Sequence, residues 1–380
     1  MFLRYLFAIS YLLLANITVA QTALPILHSN DTILDMRVGD EFHSQTWTIM
    51  PDLHPDPYGS SIVGQRITFY SDLDSISCVV DKDRPFDFIV VLGQDSAYTR
   101  VHYEPTKLDV LKAHAAYEAD QDYSLPVFTY ESKDMPALKA LRSKYNLDSI
   151  AGQGNDVSQL LNLMRWVHNT IPHDGSKPIP GSRNADKLLT ACGNGKGTLN
   201  CRGLGIVLNE VYLAMGFSSR FVTCMPKDTT DTDCHVINTA YAASLEKWIW
   251  LDPTQNAYAM DDKGTLLSIA EVRERLIEDQ PLILNPDANW NYRGTTDKAW
   301  YLEYYMAKNL YYFSTPLHST YDYETRAKGK KITYVELWPA GEGKYLPRFE
   351  EFVAKSGTVY HTYRTYAPAA FWAPPTVARK

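Results

Sequence analysis

The order of apolar and polar positions divides the chain into a strand-rich first part and a mixed second part. Between residues 25 and 105, short runs of β-branched and aromatic residues alternate with polar turns, as in "QRITFYSD", "FDFIVVL" and "AYTRVHY". Runs of this kind, bounded by turn residues, are typical of β-strands. Two helical stretches follow them. The sequence therefore predicts a β-rich N-terminal domain over residues 21–146.

Helical spacing is prominent after residue 147. In "NDVSQLLNLMRWVHNTI" apolar residues recur every three or four positions, and the same spacing runs from Cys201 to Gly216. Three strand-like runs come next, "SRFVTCM", "CHVINTAYA" and "KWIWLDP". We therefore expect a helix that begins at Cys201 to pack on an antiparallel sheet, which is an α+β fold, in a catalytic domain over residues 147–289.

Residues 290–380 form a C-terminal extension with an aromatic helical run, "KAWYLEYYMAKNLYYF", and two strand-like runs. The extension is either part of the same domain or a small appendage, and the sequence does not choose between them. Aromatic residues at helical spacing indicate core packing. A platform for a sugar or a peptide is the alternative interpretation of the same run.

The first 20 residues have the layout of a secretory signal peptide. Arg4 precedes an apolar run over residues 5–15, and small residues, Thr18 and Ala20, come before Gln21. The apolar run is too short to span a bilayer, which takes about 20 residues. The sequence thus predicts an exported protein, periplasmic or extracellular after cleavage, without a membrane segment in its mature form.

Composition narrows the classes of partner. The chain is 45% apolar and carries a formal net charge of −7 at pH 7. A mildly acidic chain lacks the basic footprint of a nucleic-acid-binding protein. No set of cysteines and histidines has the spacing of a zinc site. We expect no nucleic acid, no metal and no cofactor.

If the protein is exported, its cysteines can be either paired in disulfides or free thiols. An oxidising compartment favours disulfides, but an odd number leaves at least one thiol unpaired or bridging two chains. Cys224 and Cys234 flank a polar turn and are one candidate pair. Cys192 and Cys201, on either side of a glycine-rich turn, are another, which would close or gate the site. The five cysteines are Cys78, Cys192, Cys201, Cys224 and Cys234.

Three residues stand where nucleophilic catalysis would need them. Cys201 opens a predicted helix, whose N-terminus lowers the pKa of a thiol. His235 begins a strand and Asp252 ends the next one, so that a short turn can bring the two side chains together. A thiolate nucleophile, a base and an orienting carboxylate form a catalytic triad. His173, in a polar loop before the cysteine, is the rival base.

The stretch from about 156 to 275 resembles the transglutaminase-like superfamily of papain-like cysteine enzymes. The resemblance is carried by "LLNLMRWVHNTI", "GTLNCRGLGIVLNEVYLAMGFSSRFV" and "HVINTAYAASLEKWIWLDPTQNAY". It implies that Cys201 is the nucleophile, His235 the base and Asp252 the orienting acid. The chain departs from the family in the residues just before the cysteine and just after the histidine. The flanking regions resemble exported proteins of Bacteroidetes-type bacteria.

The implied reaction is acyl transfer from an amide of a protein or peptide substrate through a thioester. Water as acceptor makes a peptidase or amidase, which the resemblance favours, and an amine makes a cross-linking enzyme. A cell-wall peptide is the substrate that export suggests. The backbone N–H of Cys201 is the first candidate donor to the oxyanion, and the Asn200 side chain is the second. The alternative function is a catalytically silent module that binds a cell-surface peptide or glycan.

Overall fold

The computed structural model describes residues 23–114, 116–117, 122, 125–342 and 346–376. The predicted signal peptide lies outside the described residues. The chain folds as two compact units, of which the first ends at Pro105 and the second begins at Thr106. Within the described residues, no helix has both the length and the apolar character that crossing a bilayer requires.

The first unit is made of β-strands. Within its described residues, one sheet has the order β1-β7-β8-β4 and another the order β3-β2-β5-β6. Leu27 and Phe88 of one sheet and Leu34 and Phe69 of the other belong to a single buried cluster. This agrees with the strand pattern of the sequence. The strands are β1 (Ile26–Ser29), β2 (Ile33–Val38), β3 (Glu41–Thr48), β4 (Asp56–Ser60), β5 (Arg66–Tyr70), β6 (Ser75–Val79), β7 (Phe86–Leu92) and β8 (Asp95–Tyr103).

The second unit combines helices with a mixed sheet. Its helices are α1 (Lys107–Ala113), α2 (Pro136–Lys144), α3 (Leu147–Ala151), α4 (Asp156–Thr170), α5 (Ala185–Cys192), α6 (Cys201–Met215), α7 (Ile269–Ile277), α8 (Ala307–Asn309) and α9 (Pro368–Phe371), with a π-helical segment at Ala299–Met306. Its strands are β9 (Thr129–Tyr130), β10 (Ser219–Met225), β11 (His235–Ala242), β12 (Lys247–Leu251), β13 (Ala259–Met260), β14 (Ile283–Leu284), β15 (Tyr312–Pro316), β16 (His318–Ser319), β17 (Lys331–Leu337), β18 (Phe349–Val353) and β19 (Val359–Thr365).

The main sheet of the second unit has the order β12-β11-β10-β15-β17-β19-β18 among the described residues. It is antiparallel as expected from the sequence, except where β17 pairs with β19 in parallel. β15 pairs directly with β10, so strands of the C-terminal region continue the sheet that begins with β10, β11 and β12. The fold is α+β.

The division of the structure differs from the predicted boundary at residues 146–147. The segment from Thr106 onwards belongs to the second unit, because α1 packs against α7 and α8, and α2 packs against α6. Leu138 and Leu141 of α2 are buried in the same cluster as the residues of α6. Helical spacing shows that a helix has an apolar face but not which core that face enters.

Helix α6 is the central element of the second unit. It packs on β10 and β11 with one side and against α2, α4 and α5 with the other, so that it is buried almost all round rather than along one stripe. Gly205 allows the close approach to the sheet, since a Cβ there would lie 3.0 Å from Val236 Cγ1 and 3.4 Å from Phe221 Cβ. The helix ends at Met215, and the next residue, Gly216, caps it with a left-handed φ of +91°.

A side chain at Gly205 should push α6 away from the sheet. We expect Gly205→Val to lower the free energy of unfolding by about 1–3 kcal/mol, the usual cost of overpacking. The urea midpoint, followed by tryptophan fluorescence, measures this. Gly181→Val is the matched control, because among the described residues no heavy atom lies within 4 Å of its Cβ position. Equal midpoints for the two variants would contradict the close approach.

Candidate active site

Cys201 is the first residue of α6. Asn200 caps the helix, because its Oδ1 accepts a hydrogen bond from the Gly203 N–H at 3.0 Å. The Asn200 Nδ2 donates to the Lys177 carbonyl at 3.1 Å. Both ends of this side chain are therefore engaged in structure, which argues against Asn200 as an oxyanion donor. The cap leaves the thiol at the positive end of the helix dipole.

His235 and Asp252 meet as the strand order predicted. His235 is the first residue of β11, Asp252 follows β12 directly, and the two strands are antiparallel neighbours. His235 Nε2 lies 2.8 Å from Asp252 Oδ2. The side chains are 3% and 0% exposed, so this is an ion pair shielded from water. The bond to Asp252 leaves Nδ1 as the nitrogen of His235 that is available to Cys201.

Further donors surround the Asp252 carboxylate. The Tyr301 hydroxyl donates to Oδ2 at 2.6 Å, and the Thr254 N–H donates to Oδ1 at 2.7 Å. Burial opposes ionisation of this carboxyl, but the charge of His235 and these donors outweigh it and lower its pKa. Asp252 is thus held as an anion whose two oxygens point in fixed directions.

The charge of Asp252 determines the protonation of His235. Burial alone would disfavour the imidazolium, but the adjacent carboxylate outweighs this and raises the pKa of His235 to about 10. Burial likewise raises the pKa of the Cys201 thiol, and hydrogen bonds from His173 and His235 and the imidazolium charge outweigh it, lowering that pKa to about 6. Between about pH 6 and pH 10 the site therefore holds a thiolate beside an imidazolium.

The other cysteines lack this environment. All five lie in the described part of the chain and all are free thiols, so neither of the two candidate disulfides is present. Burial raises the pKa of Cys78 to about 11, and it also raises the pKa of each of Cys192, Cys224 and Cys234. Cys201 is the one whose pKa is lowered.

His173, the rival base, also reaches the sulfur. It hydrogen-bonds Cys201, but its Nδ1 accepts a hydrogen bond from the Trp290 indole N–H at 3.0 Å, and among the described residues no carboxylate makes a hydrogen bond or ion pair with its ring. His168, from the same stretch, is structural. Its ring nitrogens contact the Pro253 carbonyl oxygen at 2.9 Å and Asn289 Oδ1 at 3.0 Å.

A cavity of about 570 Å³ opens at the two histidines that contact Cys201. Trp290, Trp300 and Tyr305 form much of its apolar wall. The rings of Trp300 and Tyr305 are stacked with their centroids 5.5 Å apart, and Tyr305 meets His235 edge-on at 5.3 Å. This volume gives the groups on either side of a reacting carbonyl a place to bind.

Two residues of the site were not identified from the sequence. Tyr301 lies in the aromatic run that indicated core packing, and Trp290 lies in a segment without any pattern. Neither position has a local signal, because each acquires its role from a partner far along the chain. Among the described residues, no group of three or more histidines, cysteines and carboxylates is placed to hold a metal ion.

Comparison with known proteins agrees with the resemblance. Residues 143–253, which contain Cys201, His235 and Asp252, match the family model of the transglutaminase-like superfamily. The crystal structure of a putative cysteine protease from Cytophaga hutchinsonii is similar to 40% of this chain, with 19% identity and a TM-score of 0.26. The match spans half the length of that chain. No curated protein is similar to this chain. The family match identifies residues 143–253 as a transglutaminase-like domain.

Proposed function

We propose that the protein is an exported cysteine enzyme that transfers an acyl group from an amide through a thioester. The observation that carries this proposal is the buried pair of Asp252 and His235 beside the partly buried Cys201, which stabilises a thiolate at a helix N-terminus. Thiolates are the nucleophilic form of cysteine. Export is supported by the signal-peptide layout of residues 1–20.

The reaction follows from the protonation of the pair. The Cys201 thiolate attacks the amide carbonyl carbon, and the imidazolium of His235 gives its proton to the leaving nitrogen, so that an amine departs and a thioester remains. His235, now neutral, takes a proton from water or an amine, which attacks the thioester. The acyl product leaves, and the thiolate and imidazolium are restored. Asp252 stays ionised throughout.

Hydrolysis is the direction we favour. The resemblance of residues 156–275 to papain-like enzymes supports a peptidase or amidase acting on a protein or peptide, of which a cell-wall peptide fits an exported enzyme. Transfer to an amine would use the same thioester and the same residues. The aromatic cavity beside His235 is a suitable surface for the substrate on either route.

A catalytically silent binding module for a cell-surface peptide or glycan is the alternative function. The exposed Trp300, stacked on Tyr305, is the surface that favours it. A binding module that catalyses no reaction does not require a buried carboxylate that keeps a histidine protonated beside a thiol. The intact triad therefore supports the enzyme over the module.

The pH dependence of Cys201 alkylation tests the pair without knowledge of the substrate. Iodoacetamide reacts with the thiolate, so we expect the reaction at Cys201 to rise with a midpoint near pH 6 in the wild type. In His235→Ala the imidazolium is lost, and the midpoint should move towards the ordinary value of about 8.5. Peptide mass spectrometry isolates Cys201, and the other four cysteines serve as internal controls. A shared midpoint in both proteins would refute the triad and leave the binding module.

The charge of Asp252 is tested by replacing it with its neutral isostere. We expect Asp252→Asn to lower the pKa of His235 and to raise the alkylation midpoint of Cys201 by about one pH unit or more, since an adjacent opposite charge shifts a pKa by that much. Asp262→Asn, in an exposed turn, is the matched control and should leave the midpoint in place. An unchanged midpoint in Asp252→Asn would show that the carboxylate does not charge His235.

A further inference from the structure

His173 is held against the segment that leads into α6. The Leu199 N–H donates to the Pro172 carbonyl at 3.1 Å, and the Asp174 N–H donates to the Leu199 carbonyl at 2.8 Å. Asn291 clamps the His173 backbone from the other side, because its Oδ1 accepts from the His173 N–H and its Nδ2 donates to the His173 carbonyl, each at 2.8 Å. The imidazole is therefore placed beside Cys201 by backbone contacts on both sides.

The contact with Trp290 determines where the proton of the imidazole lies. An indole N–H can only donate, so His173 Nδ1, 3.0 Å away, must carry the lone pair. The ring then has its proton on Nε2. Since Nδ1 is occupied by the indole, Nε2–H is the group left to donate to the Cys201 sulfur. A ring in this state gives a hydrogen bond and does not remove a proton, so His173, the rival base that the sequence suggests, does not act as the base.

From this geometry we infer that the His173 Nε2–H is a donor of the oxyanion hole and acts with the backbone N–H of Cys201. The inference rests on the proposed function. The oxyanion is two bonds from the sulfur, so a donor in contact with the sulfur is also within reach of that oxygen. The Asn200 cap engages the Gly203 N–H and not that of Cys201.

His173 keeps its proton throughout the reaction. The carbonyl oxygen becomes negative when the thiolate adds to the carbon, and the Nε2–H donates to it without transferring the proton. When the intermediate collapses the oxygen returns to a carbonyl, and the carbon–nitrogen bond breaks as His235 protonates the nitrogen. Preorganised donors of this kind stabilise the transition state more than the ground state, because the charge on the oxygen appears only then.

Two reactions of the same sulfur separate this role from an effect on the thiolate. Iodoacetamide alkylates sulfur by displacement and creates no oxyanion, whereas p-nitrophenyl acetate acylates it through a tetrahedral oxyanion. For each variant, the alkylation profile gives the thiolate fraction, and the burst of p-nitrophenolate gives the acylation rate. Dividing the acylation rate by the thiolate fraction gives a corrected acylation rate, which depends on how well the oxyanion is stabilised.

We expect His173→Phe to lower the corrected acylation rate about 10²-fold, the usual loss for one oxyanion donor. Alkylation of its thiolate form should change by less than about threefold, since no oxyanion forms. His173→Gln restores an N–H donor and should recover part of the acylation. Because glutamine is uncharged and cannot act as a base at this position, recovery also excludes proton transfer by His173.

The tautomer has its own readout. In ¹⁵N NMR of the histidine rings, His173 should show the Nε2–H form in the wild type and a mixture of tautomers in Trp290→Phe, with a smaller fall in acylation. Trp166→Phe, whose indole packs against Tyr145, is the matched control and should change neither.

Three results would overturn the inference. Equal losses in acylation and alkylation of the thiolate would place His173 on the sulfur rather than on the oxyanion. A His173→Phe variant that acylates like the wild type would remove it from the reaction. A wild type whose Cys201 alkylates only in the ordinary thiol range would refute the proposed function together with the inference, and the alkylation profile alone identifies that case.

Discussion

The buried carboxylate of Asp252 is the constraint on which the rest of the site depends. Removing a carboxylate from water costs on the order of several kcal/mol, and only close partners offset that cost. His235, the Tyr301 hydroxyl and the Thr254 N–H supply those partners. Because these partners compensate the charge of Asp252 closely, that charge acts mainly on the His235 ring, whose pKa it raises. The His235 imidazolium in turn lowers the pKa of the Cys201 thiol. Tyr301 comes from the C-terminal region, so that region contributes directly to the site as well as to the sheet.

A second buried carboxylate, that of Glu324, fixes the first turn of α6 beside Cys201. Arg202, next to Cys201, makes a bidentate pair with Glu324 through contacts of 2.8 and 2.6 Å, and the Tyr334 hydroxyl also donates to this carboxylate. Glu324 is 2% exposed. The pair joins the first turn of α6 to the segment between β16 and β17, while Gly205 lets the next turn lie close to β11. Cys201 is therefore positioned by both charge pairing and close packing, which a flexible loop would not achieve.

The sequence predicts features that depend on neighbouring residues, but not those that depend on residues far apart along the chain. The helix that begins at Cys201 and the strand that begins at His235 follow from local patterns. The meeting of His235 with Asp252 follows from one tight antiparallel connection. The contacts of Tyr301 with Asp252 and of Trp290 with His173 join residues 49 and 117 positions apart, and no local spacing encodes them. The end of the first unit at Pro105 was missed for the same reason.

The two histidines at the sulfur show why these long-range partners decide the chemistry. Both rings contact Cys201, and the sequence alone left each of them as a possible base. Asp252 is an acceptor and holds His235 as a cation with a proton to give. Trp290 is a donor, so His173 Nδ1 accepts from the indole N–H and the ring has its N–H on Nε2. In the proposed reaction, the cation beside the thiolate stabilises the nucleophile and protonates the leaving group, and the N–H donor stabilises the oxygen without competing for that proton. The two histidines are chemically identical, and their different hydrogen-bond partners, the acceptor Asp252 and the donor Trp290, are sufficient to give them different roles.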